Sequence, residues 1–159
     1  MSRITNLIPN PLLTFPNSAI STYEATVQHV DPDRMIITPN NGAVNPYAKI
    51  RLCEPVSGDF HLNFWLFNMP EDSRWHDGIC YIDNANQTVG RLFPHNNTAG
   101  ATFLGFDFHL DDMQFIQLKC PLNHPLQFSA INLMTQADWN EYKKISQGAL
   151  YGDLMPLQN

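Results

Sequence analysis

Charge is scarce in this sequence. Of its 159 residues only 15% are Asp, Glu, Lys or Arg, against a typical ~25%. That argues against long solvated helices and against disorder. The longest basic run is Lys143-Lys144, and the formal net charge is −6. A nucleic-acid backbone needs clustered Lys and Arg, so nucleic acid is excluded as a partner. No apolar run approaches the ~20 residues that span a bilayer, which excludes insertion as a membrane helix. The opening stretch "MSRITNLIPNPLLTFPN" is broken by Pro9, Pro11 and Pro16 and lacks the continuous apolar segment of a signal peptide. Cysteine is sparse and odd in number: Cys53, Cys80 and Cys120 are too few and too widely spaced for a disulfide framework. Each lies in an apolar, strand-like run, so each is expected to be a buried or half-buried thiol, in a chain made in a reducing compartment. Repeats, low-complexity segments and charged linkers are absent too, and the length is that of about one domain.

What is present is β-chemistry. Ten Phe, five Tyr and three Trp favour pleated surfaces, and twelve Pro and eight Gly punctuate them. Alternation marks 21–28, 34–38, 47–54 and 59–68 as strands. It does the same for 78–83, 88–93, 101–109, 114–120 and 126–133. In 59–68, Phe60, Leu62, Phe64 and Leu66 share one face, and His61, Asn63, Trp65 and Phe67 share the other. About nine short strands with turn signals every 8–15 residues predict an all-β, jelly-roll β-sandwich. One helix is predicted in "TQADWNEYKKIS". Thr135 caps it, Asp138 completes a capping-box-like pattern, Lys143 and Lys144 suit its C-terminal dipole, and Gly148 stops it. Trp139, Tyr142 and Ile145 give it one face to dock on the sandwich. The expected layout is an extended N-terminal segment at 1–20, a sandwich at 21–134, and a helix and tail at 135–159 packed on the same domain.

Two phrases add a resemblance. The chain opens with Asn6-Leu7-Ile8-Pro9-Asn10-Pro11. It closes with a strand, an acidic-aromatic helical turn and Tyr151-Gly152-Asp153. In both it resembles carbohydrate-binding-module-like jelly-roll domains of phage and prophage minor tail proteins. That resemblance implies a non-enzymatic tail module, synthesised in the bacterial cytoplasm and carried on the virion. It would contact host-surface glycans, other tail proteins and, in a homo-oligomer, further copies of itself. Taken as complete, the chain is expected to be a free-standing module. The competing expectation is a structural virion protein that decorates or assembles a tail or capsid and binds only protein.

Candidate site residues follow from what sugars require. An aromatic face stacks on the apolar face of a pyranose, and nearby amides, carboxylates and imidazoles read its hydroxyls. His61, Asn63 and Trp65 on one strand, with Asp107 and His109 on another, form such a set if the strands are neighbours. Trp75, in the polar "EDSRWHDG", adds a loop aromatic. No HxH, HExxH or CxxC spacing occurs, so no zinc site is expected. No cofactor is expected; a structural calcium would have to use Asp31 and Asp33, or Asp111 and Asp112. GxSxG and phosphate-binding glycine patterns are missing, and no catalytic residue is assigned.

Overall fold

A computed structural model describes residues 4–9, 19–30, 34–69, 80–84, 87–88 and 98–146. Among these are eight strands and one helix. They are β1 (Ile20–Tyr23), β2 (Ala25–Val30), β3 (Arg34–Pro39), β4 (Tyr47–Met69), β5 (Cys80–Asn84), β6 (Gln87–Thr88), β7 (Thr98–Lys119), β8 (Leu126–Thr135) and α1 (Gln136–Ser146). The strand order is β2-β3-β8-β4-β7-β5-β6, with β1 added on β4, and every pairing is antiparallel. The fold is all-β, as the alternation predicted. No described helix is long and apolar enough to cross a membrane.

The long strands β4 and β7 build both layers. Their register is regular from Tyr47↔Lys119 to Arg51↔Phe115 and from Asp59↔His109 to Phe67↔Ala101, and it shifts between these stretches. The irregular stretch holds Pro55, Gly58 at φ 137 and Asp112 at φ 54. Bulges and bends of this kind let one strand turn a corner and serve two sheets. Ser57 Oγ ties the corner by accepting from the Asp112 backbone N–H at 2.8 Å. Four segments predicted as separate strands are therefore two continuous ones, because Pro55 and Gly58 in β4 and the Asp111-Asp112 pair in β7 read as breaks while the ladder merely bends around them.

Glu24 makes the opposite correction. The predicted strand 21–28 is divided there, at φ 49. The Glu24 carboxylate accepts from the backbone N–H groups of Val44 at 2.9 Å and Asn45 at 2.7 Å. These bonds hold its pKa below the ordinary carboxylate value. The kink sends β1 to the first half of β4 and β2 to β3.

One apolar cluster fills the space between the layers. It joins Ile50, Ile116 and Leu118 from one half to Met35, Ile37, Phe60, Leu62, Phe64 and Phe128 from the other. Phe64 meets Phe128 edge-on at 5.5 Å between ring centres. Cys120 is buried in this core, which pushes its thiol up to about 12. Cys53 departs from expectation: it is exposed, because it shares the outward face of β4 with Lys49 and Arg51 while Leu52 turns inward.

Two further pieces complete the second half. The N-terminal segment runs against β8, with Leu7 N–H donating to the Leu133 carbonyl at 2.7 Å and with Ile4 and Ile8 buried. The helix α1 begins as predicted, with Thr135 Oγ1 accepting from Asp138 N–H at 3.1 Å. Its Tyr142 is buried with Ile4 and Met134, and Trp139 packs on that group. The proposed stop at Gly148 lies outside the described residues.

Candidate functional site

The β4–β7 ladder sets the site. Directly opposed residues of an antiparallel pair lie on the same face. Four consecutive rows on the outward face are Asp59↔His109, His61↔Asp107, Asn63↔Gly105 and Trp65↔Phe103. Five of the six predicted residues, His61, Asn63, Trp65, Asp107 and His109, are thereby brought together. Trp75 lies outside the described residues.

The rows form a gradient. At one end Trp65 is half-buried and Phe103 is 36% exposed, their ring centres 5.2 Å apart. The next residue on this face of β4, Phe67, carries the Arg34 guanidinium 4.0 Å over its ring. At the other end His109 Nδ1 bonds Asp59 Oδ1 at 2.8 Å, and its Nε2 lies 3.6 Å from Asp111 Oδ1. The hydrogen bond to Asp59 raises the pKa of this exposed imidazole above its ordinary 6.5.

The middle rows are polar and covered. His61 Nδ1 donates to Asp107 Oδ1 at 2.6 Å. Its ring stacks on Trp139 of α1 at 4.0 Å and 5°. Burial nevertheless lowers the His61 pKa against the pull of Asp107, with Lys143 acting in the same direction as burial. Asn63 is fully buried, and its Oδ1 accepts from Asn132 Nδ2 of β8 at 2.9 Å. Gly105, between Phe103 and Asp107, leaves the sheet bare. A Cβ there would come within 3.2 Å of both His61 Nε2 and the Asn63 Cβ. A saddle without a side chain thus separates the aromatic row from the carboxylate–imidazole rows.

Sequence reasoning found the alternating faces but missed Phe103, Gly105, Asp59, Asn132 and the docking target of Trp139. Phe103 and Gly105 carried the same alternation signal as Asp107. Asn132 and Trp139 could not be placed without the strand order. Asp111 and Asp112 sit at the β7 corner, both exposed. Among the described residues no three His, Cys, Asp or Glu side chains converge to hold a metal ion. Asp31 and Asp33 lie outside the described residues.

No protein-family model matches the chain, and no curated protein matches it either. Solved structures do. The second N-terminal cellulose-binding domain of the Cellulomonas fimi β-1,4-glucanase C aligns with a TM-score of 0.56 at 15% identity, over 85% of this chain and 97% of that one. A variant of the family 29 carbohydrate-binding module CBM29-2, complexed with mannohexaose, aligns at 0.52 and 14% identity, over 85% and 92%. Another variant of that module, complexed with cellulohexaose, aligns at 0.50 and 12%, over 81% and 87%. The fold is carbohydrate-binding-module-like.

Proposed function

We propose that this protein is a non-enzymatic carbohydrate-binding module that lays a glycan across the outer β4–β7 face. The observation that carries the reading is the four-row ladder. It places an aromatic row, a bare glycine saddle and two carboxylate–imidazole rows on one face, with the three outward β7 side chains exposed. An apolar pyranose face needs the first, room needs the second, and hydroxyl recognition needs the third. The shared fold with cellulose-binding and family 29 modules supports the same reading by analogy. The phrases at 6–11 and 151–153 support a place on a phage or prophage tail. There the glycan would be a host-surface one, and many copies would compensate for weak single sites.

The test is calorimetric titration with cell-wall and plant-type oligosaccharides. Wild type is expected to bind at least one class saturably. Trp65→Ala, folded by circular dichroism, is expected to lose roughly 10–100-fold in affinity, as an interface aromatic does on truncation. A protein that binds no glycan and elutes as a firm oligomer would instead support the structural virion role.

A further inference from the structure

Asn6, in the opening phrase, lies far from β4 in sequence yet connects to it through a chain of amides. Its Oδ1 accepts from two backbone N–H groups, Leu133 and Ile8, each at 3.1 Å. Backbone N–H can only donate, so the orientation of this amide is fixed. Asn6 Nδ2 must then donate, and it does so to Asn132 Oδ1 at 3.1 Å and the Ile131 carbonyl at 3.3 Å. Asn132 in turn has only Nδ2 to offer Asn63, whose Oδ1 accepts it at 2.9 Å. One group is left at the end, Asn63 Nδ2, a buried donor with no partner among the described residues.

The same logic runs from Asp107. Its carboxylate accepts, so His61 Nδ1 carries the proton. In the neutral ring that burial favours, Nε2 is a bare acceptor, and it too is buried without a described partner. Gly105 stands directly opposite Asn63 and next to this nitrogen. Buried donors and acceptors are seldom left unmade, because each forfeits its hydration. A cation would face the amide hydrogens. An anion would face the imidazole lone pair and Asp107. A hydroxyl group, both donor and acceptor, satisfies the pair.

We propose that Asn6 is a positioning residue for ligand specificity: through Asn132 it turns the Asn63 amide so that the Asn63 donor and the His61 acceptor are left unpaired at Gly105, where they read one hydroxyl of a neutral sugar ring. The hydroxyl oxygen accepts from Asn63 Nδ2, and its hydrogen goes to His61 Nε2. The inference rests on the glycan-binding reading of this face. Trp139 covers the imidazole, so entry of the hydroxyl moves the indole, and indole emission follows binding.

The decisive variant is Asn6→Asp. A carboxylate of the same shape still accepts from Leu133 and Ile8, so those two bonds survive, while the bond to the Ile131 carbonyl is lost. While ionised it cannot donate to Asn132, whose amide therefore reverses and reverses that of Asn63, and the titration is run at a pH that keeps this buried carboxyl ionised. Wild type and variant are titrated by NMR with the glycan that wild type binds and with its singly deoxygenated analogues. Wild type is expected to lose about tenfold in affinity for one analogue, the worth of one hydrogen bond. Asn6→Asp is expected to bind that analogue and the parent within about twofold of each other, with the Asn63 side-chain amide resonances shifted. Trp65→Ala weakens the whole panel evenly. If Asn6→Asp keeps the wild-type discrimination, or if no analogue is discriminated, an internal water satisfies the pair and the inference falls while the glycan reading stands. If wild type binds no glycan, both fall.

Discussion

His61 and His109 occupy adjacent rows of one face and titrate in opposite senses. Burial favours neutral His61, whose pKa is lowered from 6.5. Its contribution to stability is complete above 6.5 and is lost as pH falls from there through the folded value. His109 is raised from 6.5 by its hydrogen bond to Asp59. Its contribution is present below 6.5 and disappears as pH rises through the folded value. Two-dimensional NMR titration of the imidazoles should therefore show His61 charging below 6.5 and His109 above it. Asp59→Asn should bring His109 down towards 6.5 and leave His61 in place; a common midpoint for both rings would contradict this. The thiols divide in the same way. Cys53 is exposed, whereas Cys120 is buried with its pKa near 12. Peptide mapping after brief alkylation at neutral pH should find Cys53 modified and Cys120 intact.

At the scale of the element, α1 depends on its start. Thr135 caps it, and the helix then lays Trp139 on His61 and buries Tyr142. Thr135→Ala should cost about 1 kcal/mol, read from the midpoint of urea unfolding. The capping pattern was legible because it is local: Thr135 and Asp138 are three residues apart. So was the outward set His61, Asn63 and Trp65, since a strand alternates with period two whatever its neighbours. The corner at Pro55 and Gly58 was not legible. Those residues signal a break to any local reading, and only the β7 partner shows that pairing resumes at Val56↔Met113 and, after a further shift, at Gly58↔Leu110. Glu24 misled in the other direction. Its run looks like one strand, and the kink exists because the backbone of Val44 and Asn45 waits for its carboxylate. Asn6 stood in the sequence only as the first residue of the opening phrase, within an expected extended segment. Its bonds reach Ile131, Asn132 and Leu133, and no local pattern announces partners so distant.

For the whole molecule, the position of the site follows from the way β4 and β7 are shared. Each contributes one half to each layer, so the face that carries the ladder is continuous with strands whose other halves pair with β1 and β5. The two layers have no independent existence along these strands, and one apolar cluster serves both. That arrangement also governs how fast the chain can fold. Tyr47 must find Lys119 and Phe60 must find Phe108 before either layer has its centre, and the closure entropy of the intervening chain precedes any reward from packing. Refolding from urea should accordingly take milliseconds to seconds rather than microseconds. Amide hydrogens of β4 and β7 on both sides of the corner should exchange together, through one global opening, rather than layer by layer.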